Sequence, residues 1–133
     1  MVTKTGIIWG VSLFIHEEDA GREVSNNMVG LKDIQNLTER ITHEFSPQKI
    51  ILFGSFAWGI PKGDSDVDLL VIMPHEGKSW RMASTIRERV QPDFPLDLLV
   101  RSEDQILGRL ALQDSFISEI MERGRVLYEN GNC

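Results

Sequence analysis

Lys49–Met73 reads KIILFGSFAWGIPKGDSDVDLLVIM, and the rest of the chain is placed by how this stretch folds. KIILF is a short apolar run with the length and β-branched content of a buried strand, and Gly54 ends it. A Gly- and Pro-bearing loop follows through Ile60-Pro61-Lys62-Gly63. From Asp66 to Met73 the chain alternates and then runs apolar, which predicts a second strand with an acidic entry. Two strands joined by a loop rich in turn formers predict a sheet with chemistry gathered at one end.

The flanks supply helices. Leu31, Ile34, Leu37, Ile41 and Phe45 recur at steps of three and four, the stripe of an amphipathic helix, and Ser46-Pro47 stops it. Lys78–Val90 carries Trp80, Ala83, Ile86 and Val90 at helical spacing, so Trp80 and Met82 are expected among core contacts. Leu96–Val100 (LDLLV) is a third strand. Ser102-Glu103-Asp104-Gln105 is a capping box opening a further helix. Asp114–Arg123 forms the last helix, closed by Gly124, before a strand at Arg125–Glu129. The order α-β-loop-β-α-β-α-α-β predicts an α/β (α+β) domain, a small mixed sheet backed by helices, over residues 31–129.

Three features in this frame carry chemistry. Gly54-Ser55 follows a strand directly, with Gly59 four residues beyond the serine; glycine lets backbone approach a ligand, and free N–H groups favour phosphate. A plain tight turn also accounts for it. Asp66 and Asp68, at i and i+2, share a strand face, so their carboxylates lie about 6 Å apart. At an effective dielectric near 20 they repel by on the order of 3 kcal/mol. A divalent cation reverses that sign, whereas a solvated strand entry needs none. Asp97 stands alone in an apolar strand. It either faces outward from an edge strand or, if this strand lies beside the one at Asp66, completes a set of three carboxylates suited to two metal ions.

Gly54-Ser55-Phe56-Ala57-Trp58-Gly59, a five-residue spacer and Ser65-Asp66-Val67-Asp68-Leu69 resemble the GSxxxG…SDxDL signature of the DNA polymerase β-like nucleotidyltransferase superfamily. With Asp97 on a later strand of so short a chain, the sequence is most similar to minimal nucleotidyltransferases of the MntA-like antitoxin type. The resemblance covers residues of about 31–129 and implies the nucleotidyltransferase fold. It also implies transfer of a nucleoside monophosphate, AMP from ATP, to a hydroxyl, with two Mg²⁺ ions (Mn²⁺ being an alternative). Asp66 and Asp68 would ligate both ions, Asp97 would hold one and orient or deprotonate the acceptor, and Gly54 and Ser55 would contact the triphosphate. The implied partner is a small helical HEPN-type protein bearing the acceptor, the pair forming a toxin–antitoxin system. Two alternatives stand beside this reading: a non-catalytic antitoxin that neutralises its partner by binding, and a stand-alone adenylyltransferase of small molecules. Trp58 is one departure, standing where the family commonly has arginine. Trp58 is expected to pack as a hydrophobe, the alternative being that its presence reduces activity.

Composition narrows the setting. The 133 residues carry 14 Lys and Arg against 20 Asp and Glu, a net charge of −6, which disfavours duplex nucleic acid as partner. A lone cysteine, Cys133, excludes an internal disulfide and suits a cytoplasmic setting. The ten-residue apolar run Gly6–Ile15 is half of what a spanning helix needs, about 20 residues, and no cleavage pattern follows it. Residues 1–30 therefore read as an N-terminal extension. Residues 1–27 are expected to be dispensable, either an appended arm or an upstream extension with Met28 as an alternative start. The competing reading makes Ile7–Ile15 an extra strand or a partner-docking segment, since its apolar side chains would otherwise be exposed. Lys62, Lys78, Arg81 and Arg87 are minor candidates for phosphate contact. His16, His43 and His75 are too scattered for a ligand set.

Overall fold

A computed structural model describes residues 29–131. The apolar segment at Ile7–Ile15, the expectation for residues 1–27 and Cys133 all lie outside them. The elements run α1 (Leu31–Phe45), β1 (Lys49–Phe53), α2 (Ser55–Trp58), β2 (Val67–Ile72), α3 (Ser79–Val90), β3 (Leu96–Arg101), α4 (Glu103–Ala111), α5 (Ser115–Arg123) and β4 (Arg125–Glu129).

The sheet has the order β3-β2-β1-β4, with β1 antiparallel to both neighbours and β2 parallel to β3. A parallel pair needs a crossover, and α3 supplies it. The two central strands are apolar on both faces because both faces are covered. On one face Ile34, Leu37 and Ile41 of α1 and Ile86 and Val90 of α3 pack on Leu52, Leu69 and Val71. On the other, Ile106 of α4 and Ile117 and Ile120 of α5 pack on Ile51, Phe53, Leu70 and Ile72. Val29 rests against the first of these clusters.

Local chemistry sets the helix ends. The Asp33 carboxylate accepts from the Gly30 N–H at 2.9 Å, and Ser46 closes α1 in a left-handed conformation ahead of Pro47. The Ser102 hydroxyl accepts from the Gln105 N–H while the Gln105 side chain accepts from the Ser102 N–H, the reciprocal box that opens α4. Asp114 accepts from Ile117 at the start of α5.

Three expectations are corrected. The loop after Gly54 opens with a helical turn, α2, in which the Ala57 and Trp58 N–H groups donate to the Gly54 carbonyl. Asp66 precedes β2 rather than opening it. Trp80 is 62% exposed instead of buried, because the α3 stripe buried against the sheet is Ala83, Ile86 and Val90, with Trp80 at its margin. Among the described residues no helix is long and apolar enough to cross a membrane.

Candidate functional site

At one end of the sheet β1 finishes while β2 and β3 begin. Register pairs Phe53 with Asp68, and Asp68 with Asp97. Asp68 has the parity of Leu70 and Ile72, so it lies on the α4/α5 face, where those helices no longer cover the strands. Asp97 follows suit on β3, which is an edge strand and leaves it exposed. Asp97 thus faces outward from an edge strand, and because β3 lies beside β2 it also stands next to Asp68.

Gly54 sits against the same carboxylate. Its backbone, φ 78° and ψ −158°, occupies a region essentially reserved for glycine. A Cβ at this position would collide with Oδ2 of Asp68, so only a glycine admits the carboxylate there. Ser55 follows at the first position of α2, half-buried. Asp66 is presented by a turn in which the Ser65 N–H donates to the Lys62 carbonyl and the Lys62 N–H to the Ser65 hydroxyl.

The electrostatics follow from the crowding. Partial burial pushes Asp68 up to about 6, and the facing Asp97 and neighbouring Asp66 charges push the same way. A hydrogen bond shared with Asp97 also favours the protonated form. A bound cation would offset this repulsion, and carboxylate oxygens suit Mg²⁺, so the donor chemistry fits that ion. Register brings only Asp68 and Asp97 directly together. Among the described residues no three His, Cys, Asp or Glu side chains are grouped tightly enough to hold a metal.

Two features of the surroundings were not legible in the sequence. Phe116 at the start of α5 stacks edge-on at 5.8 Å against Phe53, the register partner of Asp68. Trp58 packs against the Ile51/Phe53 cluster, as expected of a hydrophobe, and the Arg123 guanidinium lies 4.7 Å over its ring. Sixty-odd residues separate these partners, and no local pattern announces such a pairing. Of the minor cation candidates, Lys62 belongs to the turn that presents Asp66, whereas the two arginines go elsewhere. Arg81 lies over Trp80, and Arg87 donates to the Leu96 carbonyl, both on α3 and so on the opposite face of the sheet from Asp68. His75 contacts Gln105 and Ser79.

The sequence matches the family model described as "Polymerase beta, Nucleotidyltransferase" over residues 35–132. Among solved structures, a candidate nucleotidyltransferase from Sulfolobus solfataricus is similar at 18% identity, covering 74% of this chain and 79% of that one, with a TM-score of 0.54. A toxin–antitoxin complex solved with AMP-PNP matches at 19% identity over 73% and 74% of the two chains, TM-score 0.49. A mutant of the toxin–antitoxin complex MntA–HpeT matches at 16% over 73% and 74%, TM-score 0.46. No curated protein matches the chain. At these identities the Sulfolobus likeness speaks for the fold.

Proposed function

The chain belongs to the polymerase β nucleotidyltransferase family, and on that premise we propose that it transfers AMP from ATP to a hydroxyl of a partner protein, releasing pyrophosphate. The observation that carries the reading is the in-register pair Asp68 and Asp97, set against a glycine that leaves room for the carboxylate. Asp66, Asp68 and Asp97 would hold Mg²⁺, which when bound neutralises charge on the transferring phosphate. Gly54 and Ser55 would contact the nucleotide's phosphates, a role carried over from the family motif. Asp97, at the exposed edge, is the carboxylate best placed for an incoming hydroxyl, which it would orient and whose proton it would accept. The acceptor on a small helical HEPN-type partner, and hence the antitoxin role, rests on the resemblance of Gly54–Gly59 and Ser65–Leu69 to minimal nucleotidyltransferases.

A second reading, neutralisation of a partner by binding alone, is favoured by the exposed apolar side chains of Leu107, Leu112 and Phe116 on α4 and α5 and the turn between them. One double variant separates the two. With Asp66→Asn and Asp68→Asn together, the catalytic reading expects loss of both AMP transfer and neutralisation, whereas full neutralisation by the variant establishes binding as the function. Calorimetric titration of ATP into the wild-type chain tests the metal: affinity should rise with Mg²⁺, and equal affinity in EDTA defeats the metal-dependent mechanism.

A further inference from the structure

Among the described residues β3 leaves one edge of the sheet open, beginning beside Asp97 and running on past Leu98 to Arg101. The Pro95 and Arg101 carbonyls accept from Val67 and Met73, on and just beyond β2. Alternation therefore turns the backbone groups of Leu96, Leu98 and Val100 outward. Two of these carbonyls are capped by side chains: Arg87 donates to Leu96 at 2.8 Å and Arg101 to Val100 at 2.8 Å. Leu98, between them, turns its N–H and C=O outward, and among the described residues no strand lies beside them.

A groove of about 510 Å³ runs along this edge between α3 and β3. Lys78, Arg87 and Arg101 line it together with the exposed Trp80, and no carboxylate does. Among the described residues none of these three cations pairs with an acidic side chain. In a chain of net charge −6, so one-sided a lining marks a local reversal of sign.

We propose that the β3 edge is a docking site for an extended acidic segment of a partner protein, which adds to the sheet as a fifth strand at Leu98 and sets its carboxylates against Lys78, Arg87 and Arg101. Main-chain pairing gives such a strand its affinity and the flanking charges select it. The arginines also act as a filter. While they cap Leu96 and Val100 they blunt the edge against neutral strands, and an acidic strand draws them off. A second copy of this chain fits poorly, since pairing two β3 edges would bring four arginines together. The proposal does not depend on the transferase reading.

The test uses the full-length chain and a fluorescein-labelled eight-residue peptide alternating glutamate with valine. Saturable binding is expected, with slowed amide exchange at Leu98. Arg87→Ala with Arg101→Ala should weaken it at least about tenfold. So should Lys78→Glu, an exposed substitution that serves if the arginine variant misfolds. A peptide N-methylated at its two central residues should also bind about tenfold less tightly, because it cannot complete the ladder. Equal binding of the methylated peptide removes the strand-addition claim. Unchanged binding by Lys78→Glu and by a folded arginine variant places the peptide elsewhere. Tighter binding of a ten-nucleotide uridine strand, which Trp80 and the cations would also attract, or a concentration-dependent dimer that protects Leu98, overturns the assigned occupant.

Discussion

The two faces of the sheet answer different demands. Under α1 and α3 the strands contribute apolar side chains along their full length, from Leu52 through Leu69 and Val71 to Leu98 and Val100. Under α4 and α5 the apolar set stops short: Leu70 and Ile72 are covered, but Asp68 and Asp97 on the same parity are not. One face is given over to cohesion, and that frees the end of the other to hold like charges side by side. The lesson is about tolerance. A strand can carry a repelling carboxylate when its alternate residues are locked into a core on the opposite side.

Substitution at Leu69 should break the cohesive face. Leu69 is fully buried beneath α1 and α3, so Leu69→Ala is expected to cost about 3 kcal/mol, read as a lower midpoint in urea with little change of slope. A loss below about 1 kcal/mol would mean that this face is not where stability resides. The complementary experiment is Asp97→Asn. Its side chain is exposed on an edge strand, so the thermal midpoint should hold, while AMP transfer falls about a hundredfold or more, equivalent to roughly 2.7 kcal/mol of barrier. Transfer of radiolabel at the wild-type rate would remove Asp97 from the mechanism.

The cohesive face was the legible one. Steps of three and four from Leu31 to Phe45, and the apolar runs at Lys49–Phe53 and Asp66–Met73, announce elements whose sides are decided by burial, which periodicity records. The carboxylates were legible as a motif, and Asp66/Asp68 by their spacing. The meeting of Asp68 with Asp97 was conditional on β3 lying beside β2, a long-range choice that no local pattern encodes. Trp80 misled because helical spacing gives a stripe but not its width. The stack of Arg123 on Trp58 and the open edge at Leu98 depend on neighbours distant in sequence, so spacing is silent about both.

Gly54 sits against the charge-bearing end, and Gly54→Ala sharpens the boundary. Its φ of 78° is strained for any other residue, and the added methyl would strike the Asp68 carboxylate. We expect a loss of about 2 kcal/mol, smaller than at Leu69, with nucleotide affinity falling as well. A variant as stable as wild type would show that the turn after β1 relaxes freely.

The smallest effect is the most diagnostic, because its sign is opposite. Asp68 is raised from 3.8 to about 6 by partial burial and then by its acidic neighbours, so the metal-free folded chain holds this proton more tightly than the unfolded chain does. Between those values the native state binds more protons, and linkage makes stability fall as pH rises. The contribution is fully present below about 3.8 and lost by the time pH has passed through about 6. Solvent screening of a half-exposed group reduces it to on the order of 1 kcal/mol. Asp68→Asn copies the neutral form without titrating, so in EDTA it should be more stable than wild type at pH 7.5 by that amount and should lack the wild-type slope between pH 4 and 6. Calorimetric melts of both chains across that range supply the check. If the asparagine variant is the less stable at pH 7.5, the carboxylate is stabilised by its surroundings rather than strained by them, and the contrast between a cohesive face and a charge-bearing end fails at its central residue.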